Sequence, residues 1–197
     1  MEQLTILFLG PQGSGKGTHV DLLSKELAGL DPNRAIVSFE AGKHLRELAA
    51  GENYTSLLAR ERMGKGELLP LFLSTRAFSD YLIHSMEKDV HLFIDGFPRT
   101  ADQLPVFDSA MQFYGRTAPK VISITISDEE AMRRLMVRKR ADDTEEGIKK
   151  RLTWTRQQSG AIHEWFRANS MYQFIEINGD QSIEAVHKDI LAALNLS

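Results

Sequence analysis

The 197-residue chain contains no cysteine. Disulfide scaffolds, thiolate zinc sites and thiol nucleophiles are therefore excluded. No apolar run approaches the roughly 20 residues that a membrane helix requires. The opening Met1-Glu2-Gln3 has no positive charge and no cleavage pattern follows it, so no secretion signal is expected. Charge of one sign is not in excess: 24 Lys and Arg stand against 27 Asp and Glu, for a net charge of −3. That balance gives no footprint for general nucleic-acid or membrane binding, although it leaves room for a local basic pocket. The six histidines lack metal-ligand spacing, and His163-Glu164 has no second histidine to complete a zincin pattern. No internal repeat and no linker rich in Pro or Ser divides the chain. With 42% apolar and 26% charged residues, it reads as one globular domain, expected to be cytoplasmic and monomeric.

What is present is an alternation of short apolar runs and helical spacings. The runs are Leu4 to Leu9, Ala35 to Phe39, Val90 to Ile94, Val121 to Ile126 and Phe174 to Ile177. They are nearly continuous and rich in β-branched and aromatic residues, as strands buried on both faces of a parallel sheet are. Val20, Leu23 and Leu27 share a helix face. So do Met132, Leu135 and Met136, and Ile183, Val186, Ile190 and Leu194. The pattern predicts an α/β fold, a five-stranded parallel sheet with helices on both faces and ligands at the carboxyl ends of its strands. Two intervals exceed a single crossover. Residues 40 to 89 hold several helical pieces broken near Gly51, Gly64, Gly66 and Pro70. Residues 138 to 146 are strongly charged and precede a helix expected to begin near Asp143, which has capping-box spacing to Glu146.

Gly10-Pro11-Gln12-Gly13-Ser14-Gly15-Lys16-Gly17-Thr18 follows the first run and opens a helix, the context that a P-loop requires. Glycines let the backbone wrap around phosphates, and the helix N-terminus adds partial positive charge. Gly13, Ser14, Gly15, Lys16, Gly17 and Thr18 are the candidate ATP-phosphate ligands. The residue after the lysine is glycine, so the hydroxyl that would meet Mg²⁺ is expected at Thr18. The motif alone does not separate a kinase from a hydrolytic or non-catalytic P-loop module.

The third run ends in Asp95-Gly96-Phe97-Pro98-Arg99-Thr100, with Gln103 close behind. A carboxylate at a strand end suits Mg²⁺ held through water. Together with the P-loop, this string resembles the nucleoside monophosphate kinases, and the short-lid adenylate kinases in particular. The resemblance runs over essentially the whole chain. It implies a P-loop kinase fold with a monophosphate-binding insert at 40–70 and a minimal lid at 138–146. It implies transfer of the γ-phosphoryl group of Mg-ATP to a nucleoside monophosphate, foremost AMP, with UMP or CMP as the alternative acceptor. Carried over by position, Arg46 and Arg99 hold the acceptor phosphate, and Gln103 reads its base. Ala41, Glu67, Leu69 and Gly96 line its site. Arg134 stacks on the ATP adenine and Gln181 touches the same base. Arg138, Arg140 and Arg151 surround the transferring group, with Lys16 and Arg99.

The chain departs from that family in two places. The acceptor motif normally reads Thr-Gly-Asp and here reads Ala41-Gly42-Lys43. The threonine that helps recognise adenine is lost, as in UMP/CMP kinases, which however carry asparagine at the position of Gln103. The aspartate near Mg²⁺ is replaced by a cation, which leaves more of the metal work to Asp95; Lys43 reaches either an acceptor phosphate or solvent. The lid is the second departure, since only Lys139 lies between Arg138 and Arg140. A trimmed lid excludes water less completely, so some ATP hydrolysis without acceptor is expected.

Overall fold

A computed structural model describes residues 1–138 and 144–196. The expected parallel sheet is present, in the order β2-β3-β1-β4-β5. Its strands are β1 (Thr5–Leu9), β2 (Ala35–Glu40), β3 (Val90–Asp95), β4 (Lys120–Thr125) and β5 (Gln173–Asn178). The helices are α1 (Lys16–Leu30), α2 (Ala41–Ala50), α3 (Tyr54–Gly64), α4 (Leu71–Ser85), α5 (Leu104–Phe113), α6 (Asp128–Arg138), α7 (Glu145–Ala168) and α8 (Ile183–Leu194). Every side chain of the central β1 is buried. The expectation of burial on both faces fails at β2 and β5, which stand at the sheet edges and expose part of their length.

The apolar side chains of each strand alternate between two cores. On one face Leu7, Leu9, Leu92 and Ile94 meet Phe78 of α4, Phe107 of α5 and Phe166 of α7. Phe78 stacks on Phe97 with ring centroids 4.2 Å apart. On the other face Ile6, Phe8 and Ile122 meet Leu23 and Leu27 of α1 and Ile190 of α8. Each fully buried Leu, Ile or Phe contributes about 1.5–3 kcal/mol relative to exposure.

Several helix boundaries and faces differ from the sequence reading. The long helix starts at Glu145, and its cap is Thr144, whose hydroxyl accepts a hydrogen bond from the Gly147 N–H at 3.1 Å. The Asp143 cap lies outside the described residues. Met136 is exposed, and Ala131 replaces it beside Leu135 in a small cluster against Ile148 and Leu152. Ile183 is likewise exposed, because α8 begins there and the sheet is covered only from Val186 onward. Among the described residues, no helix is long and apolar enough to cross a membrane.

Candidate active site

The loop after β1 is forced into shape by its neighbours. Gly10 has φ +132°, and a Cβ there would lie 2.2 Å from the Ile124 carbonyl oxygen of β4. At Gly13, φ +87°, a Cβ would lie 2.9 Å from the Ala131 oxygen of α6. Only glycine meets both conditions at once. The Lys16 ammonium folds back over the loop, donating to the carbonyls of Gly10 at 2.9 Å and Pro11 at 2.8 Å. Burial lowers its pKa, with Asp95 opposing and Arg99 and Arg138 reinforcing the shift. Gly17 and Thr18 are exposed along the same cleft, whereas Ser14 is buried beneath the loop.

The cleft itself is about 1260 Å³ and runs over the carboxyl ends of the strands. β1 is the point where the chain order reverses, which is where such sheets bind ligands. Asp95, at the end of β3, lies in register with Glu40 at the end of β2. Both carboxylates act on Lys16 and on Arg99. Arg99 is fixed by donation from its Nε to the Gly96 oxygen at 2.7 Å, and burial lowers its pKa. Arg46 pairs with Glu40 at 2.9 Å. Arg138 and Arg151 line the cleft too, Arg151 from a position only 4% exposed. Thus Lys16, Arg46, Arg99, Arg138 and Arg151 come from five separate segments to one cavity.

Arg134 clamps the far end of the cleft. It donates to Glu130 at 2.6 Å, to the Gly179 oxygen at 2.9 Å and to the Gln181 oxygen at 3.4 Å. The Gln181 amide donates to the Asn178 oxygen and to Asp189, at 2.8 and 3.0 Å. Glu67 and Leu69 line the cleft on the opposite side, with Gly66, whose oxygen accepts from the Trp154 indole at 3.1 Å. A smaller pocket of about 160 Å³ adjoins it, sharing Leu45, Leu69 and Arg99 and ending on Gln103.

One of the sequence candidates stands apart. Ala41 is 2% exposed and packs in the core near Gly96 rather than lining the cleft. Arg140 and Lys139 lie outside the described residues, as does most of the 138–146 interval. Lys43 is exposed and lines the cleft. Three residues that are not among the sequence candidates also take part, one of which, Trp154, reads from its helical position as core or groove packing. Glu40 faces the cations, Trp154 ties α7 to Gly66, and Ser74 holds Gln103. Glu40 was detectable, since its strand ends beside the Asp95 strand; the other two depend on contacts across 88 and 29 residues.

A P-loop at the carboxyl edge of a parallel sheet, with arginines gathered around it, defines a nucleotide-binding P-loop fold of the phosphoryl-transfer class. Comparison with known proteins narrows this. The adenylate kinase family model matches residues 8–171. An adenylate kinase of Azobacteroides pseudotrichonymphae is 30% identical over 98% of this chain and 97% of its own. Adenylate kinase 1 of a Nostoc species is 30% identical over 96% of this chain and 97% of its own, and an adenylate kinase of Renibacterium salmoninarum is 30% identical over 96% and 95%. The chain belongs to the adenylate kinase family.

Proposed function

We infer that the protein catalyses ATP + AMP ⇌ 2 ADP. The observation that carries this reading is the meeting of five cations from separate segments over one cleft that has a phosphate loop at one end and a small base-sized pocket at the other. A hydrolase or a passive nucleotide sensor has no need of the second pocket or of Arg46 and Arg99 beside it.

ATP would lie along the P-loop, its phosphates on the backbone N–H groups of residues 13–18 and its adenine between Arg134 and the 179–181 loop. AMP would lie under α2 and α3, its phosphate on Arg46 and Arg99 and its base against Leu69 and Gln103. The segment 40–70 then acts as the acceptor-binding insert and 138–146 as a minimal lid. Lys43, at the cleft, is available to an acceptor phosphate.

Adenylate kinases use Mg-ATP. Among the described residues no group of three carboxylates, histidines or cysteines could enclose a metal. That suits Mg²⁺, which keeps waters and phosphate oxygens and takes only one or two protein oxygens. The Thr18 hydroxyl and the Asp95 carboxylate, the latter through water, would hold it there. Bound so, it would neutralise phosphate charge. The attacking group is a phosphate oxygen already ionised at pH 7, so no general base is needed. The work of this chain's residues is alignment and charge stabilisation. Lys16, Arg138, Arg140 and Arg151 would hold the charge spread over the transferring group, while Arg46 and Arg99 aim the acceptor.

The test is an assay of the purified protein with Mg-ATP and a panel of nucleoside monophosphates. ADP formation from AMP is expected; failure with every acceptor overturns the reading.

A further inference from the structure

Lys43 stands in the first turn of α2, where a cation opposes the positive end of the helix dipole. That turn has no acidic residue and no side-chain cap. Two guanidiniums close on the same place. A Cβ built on Gly42 would lie 2.9 Å from Nη1 of Arg46. One built on Gly96 would lie 3.0 Å from Nη2 of Arg99 and 3.6 Å from the Ala41 Cβ. Both guanidiniums are answered by carboxylates: Arg46 pairs with Glu40 at 2.9 Å, and Asp95 and Glu40 both act on Arg99. Lys43 is not. Other helical lysines of this chain take a glutamate one turn away, Lys65 with Glu61, Lys149 with Glu145 and Lys150 with Glu146, at 2.6, 2.6 and 3.0 Å. One turn from Lys43 is Glu47, but its carboxylate stands 3.4 Å from Nδ1 of His44. Among the described residues Lys43 has no ion pair, and it lines the cleft.

We propose that Lys43 is a specificity-determining residue that selects the acceptor by the charge of its phosphate, whatever base the acceptor carries. At the start of α2 the two guanidiniums are matched one for one by Glu40 and Asp95. Lys43 adds a positive charge that no carboxylate there takes up, and a phosphate monoester dianion is the ligand that answers it. The motif of the family carries aspartate at this position, so the local charge here is higher by two. The dipole of α2 and Lys43 repel each other until an anion enters between them, which makes the lysine unfavourable for the empty helix and favourable for the occupied site. A lysine suits the task, being a compact ammonium on a flexible stem that can follow the phosphate. The proposal rests on the acceptor-site reading above and adds to it the part of the acceptor that Lys43 reads.

The experiment divides the acceptor into its parts: AMP, adenosine, which lacks the phosphate, and ribose 5-phosphate, which lacks the base. Dissociation constants are measured by titration calorimetry, that of ribose 5-phosphate by displacement of AMP, on the wild type, Lys43→Met and Lys43→Arg. Lys43→Met should weaken AMP about five- to tenfold and ribose 5-phosphate by the same factor, and leave adenosine within about twofold. Its KM for AMP should rise with the dissociation constant, while kcat and the KM for ATP move less. Added salt should weaken AMP binding more in the wild type than in Lys43→Met. Lys43→Arg keeps the charge and should stay close to the wild type with all three ligands. Lys43→Met should melt no lower than the wild type, because it removes a cation from the positive end of α2. Equal affinity of wild type and Lys43→Met for AMP and ribose 5-phosphate, as for a lysine turned to solvent, overturns the proposal. So does an equal loss of adenosine affinity, which marks a changed site rather than a lost charge. Absence of ADP formation with every nucleoside monophosphate overturns the kinase reading instead; the binding comparison needs no turnover and still decides the role of Lys43.

Discussion

At the residue scale, Lys16, Arg46 and Arg99 are each held by a specific restraint. Lys16 is held on two loop carbonyls at under 3 Å and stays close to where phosphates would lie. Burial lowers its pKa, Arg99 and Arg138 add to the shift, and phosphate oxygens would relieve their repulsion. Lys16→Ala should therefore cost about 10²–10³ in kcat, as loss of a group aimed at transition-state charge does, and change nucleotide affinity far less. Arg99→Ala should raise the KM for AMP more than the KM for ATP. Steady-state kinetics with both substrates varied separates the two outcomes. Lys16, Arg99 and Asp95 were legible in the sequence because each sits in a contiguous string with a known local geometry. Ser74 was not. It occupies an ordinary helix position, and its contact with Gln103 arises only when α4 is laid against the turn after β3. Arg151 was legible only by resemblance, since its charged surroundings suggest a solvated helix face. Its neighbours Lys149 and Lys150 do pair with Glu145 and Glu146 at 2.6 and 3.0 Å, whereas Arg151 turns inward.

At the scale of elements, the strands were read well from their continuous apolar runs, and the termini of helices less well. Thr144 caps α7, and what makes it the cap is that its hydroxyl reaches the third N–H of the helix, which spacing along the chain does not show. The phosphate loop offers a direct contrast between two glycines. Gly10→Ala would put a Cβ 2.2 Å from the Ile124 oxygen at a φ of +132°, and should destabilise the fold by about 3 kcal/mol or more. Gly17 has nothing within 4 Å of the corresponding position and lies in the first turn of α1. Gly17→Ala should melt within a few degrees of the wild type, because alanine suits a helix better than glycine, yet bind ATP more weakly. Thermal unfolding of both variants, followed by ATP titration, checks the pair.

At the scale of the whole molecule, stability should depend on pH through buried imidazoles. His19 lies under the phosphate loop, 2% exposed and stacked on His187 at 6.0 Å. Burial lowers its pKa from 6.5 to about 4, with His187 and Arg134 adding repulsion. The unfolded chain then binds more protons than the folded one between those values. The stability His19 provides is complete above pH 6.5 and declines as pH falls toward 4, by about 1 kcal/mol per pH unit. Burial lowers His91 and His163 as well, with the same sign. Melting temperatures recorded from pH 7.5 to 5 should fall in the wild type and fall less steeply in His19→Leu. An equal slope in both would show that His19 does not carry the effect.

The strand order has a consequence for how the protein is made. β1 pairs with β3 and β4 and not with β2, the strand that follows it in the chain. The phosphate loop therefore leaves the ribosome early, but the carbonyl of Ile124 that shapes Gly10 is synthesised more than a hundred residues later. Such distant pairing is slow to form and leaves apolar strands waiting. Competence to hold a nucleotide should thus appear abruptly, once residues up to β4 have emerged, and nascent chains stalled before Lys120 should have none.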